Sequence, residues 1–182
     1  MAEATSSSPA RRWTMRLAFV LIALALILFN LMPLETVPRR WAGPDVLLAL
    51  CCAWTLRRPE FAPALMIGMV ILLADLLFQR PPGLMAALVV LACEWLKARA
   101  RVMRELPFPA EWLAAALAMA AVLAGYRVVL ALFMVEQAPL MLSVMQLVAT
   151  VVIYPLVVLL SLGFFGLRKT APGEVDTLGH RL

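Results

Sequence analysis

Residues 138–167 run for thirty positions without one formal charge. As a single helix at ~1.5 Å per residue they extend ~45 Å. No soluble core can bury such a segment along its whole length, so the chain calls for a bilayer. Residues 17–34 repeat the pattern over ~27 Å, close to a hydrocarbon core of ~30 Å. Composition agrees: 64% of the residues are hydrophobic and 15% charged, against roughly 45–50% and about 25% in a soluble domain. The mean hydropathy of +0.94 excludes a water-soluble fold on the same ground.

Four further apolar segments complete the pattern, and the chain reads as an all-α membrane protein with six transmembrane helices. The predicted spans are residues 17–34, 44–56, 61–78, 83–96, 111–135 and 138–167, within a membrane domain of 11–169. Residues 1–10, rich in Ser and Ala, and 170–182 are expected as cytoplasmic tails, the first of them disordered. A cleavable signal peptide fits the first span poorly, because an apolar region of ~7–15 residues ending at small residues is wanted there, whereas this run ends in Asn30, Met32, Pro33 and Glu35. The Arg11-Arg12 pair gives little support to a twin-arginine signal, since Trp13-Thr14-Met15 follows. Pro81, Pro82 and Gly83 predict a tight turn between spans three and four. For residues 138–167 the alternatives are one span bent at Pro155 and a hairpin or re-entrant segment. A hairpin reverses the side on which Arg168 and Lys169 fall, so charge favours the single span.

Six spans place Arg11, Arg12, Arg16, Arg57, Arg58, the loop of Lys97, Arg99, Arg101 and Arg104, and the C-terminal basic residues on one side. That side holds twelve of the sixteen Lys and Arg residues, and only Arg39, Arg40 and Arg80 fall on the other. The bias predicts that both termini are cytoplasmic. It also accounts for the pI near 9.7 without nucleic acid. The basic loop serves as an orientation signal, with docking of anionic lipid or a partner as an added role.

Charges inside or near the hydrocarbon cost about 2.5–3.5 kcal/mol at its centre and tend to face protein or water. Asp45, Asp75, Glu94 and Arg127 are the four. Depth arithmetic pairs Arg127 with Asp75 or Asp45, or leaves it snorkelling to the outer surface. Glu94 is expected to pair with Lys97 or Arg99 near the inner interface. Ala116, Ala120 and Ala124, with Ala121 and Gly125 beside them, make one face of the fifth span smooth enough for a close neighbour.

The chemistry of an enzyme is hard to find. Cys51, Cys52 and Cys93 lie in apolar runs without a nearby histidine, so neither a disulfide framework nor a metal site is readable. His180, the single histidine, is two residues from the C-terminus. Neither a nucleophile with a base nor a phosphate-cradling loop is present, and no cofactor is expected.

Gly68, then Asp75-Leu76-Leu77 and Phe78-Gln79-Arg80-Pro81-Pro82-Gly83-Leu84, resemble the G…DLL…P-x-G-L signature of the rod shape-determining MreD family. Pro82 takes a position often held by Leu. The Pro44-Asp45 start of a short span ending Trp54-Thr55-Leu56-Arg57-Arg58-Pro59-Glu60 is similar to the second span of short proteobacterial members, and Glu94 sits where members place an acidic residue before a basic loop. The resemblance covers about residues 15–168. It implies a non-enzymatic inner-membrane scaffold of the cell-elongation complex. That scaffold binds the bitopic protein MreC directly, and through it joins the MreB filament, the RodA glycosyltransferase and a class B penicillin-binding protein. The family's fold resembles the substrate-binding subunits of vitamin importers, which makes such a subunit the alternative function. The short outer spacers, with few converging polar groups, favour the scaffold.

Overall fold

The computed structural model describes residues 9–32, 42–103 and 106–165. Among these, all regular structure is helical: α1 Pro9–Leu31, α2 Val46–Arg57, α3 Ala64–Leu77, α4 Leu84–Met103, α5 Phe108–Leu132 and α6 Leu140–Phe165. The two predicted tails, Arg104, Arg168, Lys169 and His180 lie outside the described residues, save that α1 begins at Pro9. Proline suits that first position because the first helical N–H has no intrahelical acceptor in any case.

The short helix α2 forms the centre. It packs against α1, α4, α5 and α6, while α3 packs on α1 and α4. Every residue from Leu47 to Arg57 is buried. This follows from a sequence with no polar face over its first nine positions, since a helix apolar all round must be enclosed. The surrounding helices each bury one stripe. In α1 it is Phe19, Ala23 and Ile27, in α3 Ile67, Val70, Ile71 and Ala74, and in α4 Ala86, Val89, Cys93 and Leu96. Trp54 is fully buried at the centre, its ring 5.3 Å from Phe19 and 5.6 Å from Phe165. Its indole N–H donates to Ser161 Oγ at 3.2 Å.

Three helices, α1, α5 and α6, are long and apolar enough to cross a membrane. Their outward faces carry exposed Leu17, Leu21, Leu113, Leu117, Val152 and Leu159, surface that suits lipid. The helices α2 and α3 have 12 and 14 residues, and are apolar but short.

Two boundaries differ from expectation. Lys97, Arg99 and Arg101 belong to α4 and not to a loop, because the Glu94–Lys97 pair and good helix formers carry the helix on to Met103. Residues 140–165 form one helix with Pro155 inside it, not a hairpin.

Candidate functional site

The charged and polar groups collect at the two ends of the bundle. One end carries the α3–α4 turn, the start of α2 and the α5–α6 connection; the other carries the α2–α3 and α4–α5 connections.

At the first end the turn is built on a residue in left-handed backbone. Gln79 has φ 53°, Gln79 N donates to Leu76 O, and Arg80 N donates to Asp75 O at 3.0 Å. This double closure satisfies the last carbonyls of α3. Gly83, φ 84°, then starts the chain into α4. Asp75 is completely buried, and its Oδ2 accepts from Ala86 N–H at 3.2 Å. A carboxylate on one helix thus caps the next one, satisfying an N–H that α4 leaves unpaired. Among the described residues Asp75 Oδ1 meets no donor. Asp45 works in a similar way on its own helix: Oδ1 accepts from Leu48 N–H at 3.0 Å. Asp45 N–H donates to Thr150 Oγ1 at 2.8 Å, and Thr150 in turn donates to Gln146 O at 2.7 Å. That contact seats the start of α2 beside the middle of α6, about 15 Å below the start of α6 at helical rise.

Asp45, Asp75, Asn30 and Arg80 line a small cavity of about 40 Å³, so the turn and the start of α2 are brought together. Beside it, sharing Asp45 and Arg80, is a larger cavity of about 180 Å³ above the short α2. Its walls are mainly apolar, from Leu48, Met119, Leu123 and Leu147, and Tyr126, Arg127, Ser143 and Gln146 add polar groups. The expectation of few converging polar residues is therefore corrected. They come from the faces of α5 and α6 as well as from the connections, which supply Asp45, Arg80 and Gln137, and the shortness of α2 opens the space between them.

Arg127 pairs with neither Asp75 nor Asp45. Its Nη1 donates to Ala138 O at 3.0 Å and to Ser143 Oγ at 2.9 Å, while Gln137 Nε2 donates to Arg127 O at 3.1 Å. These bonds tie the end of α5 to the start of α6. Depth along a helix gives no direction around it, and Arg127 faces α6.

At the second end Glu94 pairs with Lys97, with Nζ donating to Oε1 at 2.6 Å. Arg99 lies over the Trp95 ring at 3.9 Å from its centre. The side chain of Arg101 lies outside the described residues. Glu60 ties α1 to the α2–α3 connection: Arg12 lies 3.7 Å from Oε2 and Arg16 donates to the backbone O at 3.1 Å, both from α1, while the neighbouring Arg58 donates to Oε1 at 3.3 Å.

The strongest polar cluster was not singled out from sequence. Arg57 Nε donates to Glu111 Oε1 at 2.9 Å and Nη2 to Oε2 at 3.4 Å, and Tyr154 O–H donates to Glu111 Oε1 at 3.3 Å. Arg57 is 7% and Glu111 1% exposed, which makes this a buried two-point ion pair joining α2, α5 and α6. One signal for it was present: Ser143, Gln146, Thr150, Tyr154 and Ser161 recur at helical spacing and form a polar stripe along α6. Among the described residues, no group of three or more His, Cys, Asp or Glu side chains is placed to hold a metal.

No family model matches the chain, and neither a curated protein nor a solved structure matches it.

Proposed function

We propose that this chain is a six-span inner-membrane scaffold of the cell-elongation complex, with both termini cytoplasmic. It binds MreC and so helps guide peptidoglycan synthesis and maintain rod shape, without catalysing a reaction itself. Through MreC it joins MreB, RodA and a class B penicillin-binding protein.

The observation that carries this reading is the turn of Asp75 to Leu84. The residues that resemble the MreD signature are those that shape this end of the bundle: Asp75 caps α4, and Gly83 supplies the positive φ. The same end holds Asp45, so two of the acidic positions of the resemblance, Asp45 and Asp75, meet at one cavity, while Glu94 lies at the opposite end. The charge bias supports the orientation, since the buried Arg57 and the exposed Arg99 share the opposite end. Impermeant thiol reagents applied to intact cells should label a cysteine placed at Pro82 and miss one placed at Ala98. The reverse pattern contradicts the topology.

The 180 Å³ cavity favours a second reading, the substrate-binding subunit of a small-molecule importer. Depletion of the protein separates the two. Rounded cells on rich medium support the scaffold, whereas normal rods with a nutrient requirement support uptake.

A further inference from the structure

We propose that the larger cavity is a binding site for a small organic anion with an apolar body. The assignment does not rest on the scaffold reading; the cavity has the same chemistry whichever protein the chain serves.

Charge is the first ground. Three formally charged side chains line the cavity: Asp45, Arg80 and Arg127. Asp45 already accepts from the start of α2, and among the described residues Arg127 donates to neutral oxygens, Ala138 O and Ser143 Oγ. Arg80 lies over the Phe78 ring, 5.2 Å from its centre. Among the described residues neither guanidinium has a carboxylate within ion-pair distance, so the lining carries a net positive charge. Both guanidiniums are half-buried beside the apolar walls, and a carboxylate or phosphate accepts two parallel N–H groups of a guanidinium.

Shape is the second ground. The volume of about 180 Å³ exceeds the ~150 Å³ that admits benzene in an apolar protein cavity. Leu48, Leu123 and Leu147 offer it a dry wall, while Tyr126 and Gln146 add neutral polar groups beside the arginines. An apolar body against the wall with its anionic end between Arg80 and Arg127 satisfies both sides of the lining. A soluble carboxylate and the headgroup region of an anionic lipid share this chemistry.

The test uses the full chain in phosphatidylcholine nanodiscs, with radiolabelled benzoate measured by equilibrium dialysis against empty discs. Saturable uptake is expected, displaced by unlabelled benzoate and not by its neutral analogue benzyl alcohol. Arg127→Gln and Arg80→Gln should each weaken it about tenfold, the loss expected for one charge-assisted contact. Leu123→Trp, which fills the cavity without touching a charge, should abolish uptake with the melting temperature retained, and this variant keeps the test decisive if Arg127→Gln fails to fold. Arg99→Gln, at the opposite end, should bind as the parent does. A second arm adds phosphatidylglycerol to the discs: displacement of benzoate assigns the site to lipid, and unchanged uptake assigns it to a soluble anion. The proposal is overturned if the parent neither takes up benzoate saturably nor enriches phosphatidylglycerol, or if benzyl alcohol competes equally well.

Discussion

Arg57 and Glu111 sit 54 positions apart in the sequence, and each reads there as a charge at the edge of an apolar run. Folding buries both. Removing one partner takes from the other its counter-charge inside the bundle, a loss of about 3–5 kcal/mol, while replacing both by apolar side chains of similar size is often neutral. Arg57→Ala should therefore lower the yield of folded protein and its melting temperature in detergent sharply. The double variant Arg57→Met, Glu111→Leu should recover most of that loss. Equal and additive losses mean that the pair is not coupled. A smaller effect belongs to Gly83. A Cβ there meets only Leu72 Cδ1, at an ordinary 3.9 Å, so space is available. The φ of 84° is what an alanine resists. Gly83→Ala should cost roughly 1–2 kcal/mol, read as a modest fall in thermal stability with the fold kept.

Among the elements, α4 and α5 meet closely at Gly125, where an added Cβ lies 3.0 Å from Leu88 Cδ2. Of the small-residue face expected on α5, Gly125 makes this close approach, whereas Ala121 and Ala124 are exposed and the stripe that α5 buries is Ala114, Ala115, Ala118, Met119 and Val122. Gly125→Leu should force the two helices apart at a cost of about 1–3 kcal/mol. Leu88→Ala in the same chain should restore part of the stability, and melting curves of the single and double variants decide the matter. Helix positions were legible in the sequence because Pro, Gly and Arg clusters punctuate the apolar runs, as between Arg57 and Pro63 or Phe78 and Gly83. The end of α4 was not, because Lys97, Arg99 and Arg101 read as a loop by charge although their helix propensity is good. The site was less legible still. Asp75 and Asp45 were visible as costly charges, but their capping roles depend on the turn that folds α4 back and on the shortness of α2. The direction of Arg127 depends on the rotation of α5, which depth arithmetic does not supply. The cavity draws its polar lining from α5, α6, the residue that caps α2 and the α3–α4 and α5–α6 connections, and each contribution alone looks like an isolated polar residue.

At the scale of the whole molecule, the bundle has a buried, ion-paired end and an end where a turn, two capping carboxylates and a cavity converge. The buried end fixes α2 among α5 and α6 and gives the other end a rigid base. The apolar faces of α1, α5 and α6 are exposed and suit lipid, and Gln79 and Pro82 of the α3–α4 turn are exposed as well. On the proposed scaffold reading, these are the positions where a partner crossing the same membrane is held without disturbing the caps beneath. Because Asp45 and Asp75 support the fold, the interface is better probed at the turn's exposed residues. The most direct measurement is co-purification of MreC with the tagged full chain in mild detergent, comparing the parent with Gln79→Glu and Pro82→Lys variants of unchanged melting temperature. The account predicts that the parent retains MreC and that the turn variants lose most of it, with rounding of the cells that carry them. Failure of the parent to retain MreC, under conditions that keep both proteins folded, contradicts the scaffold reading.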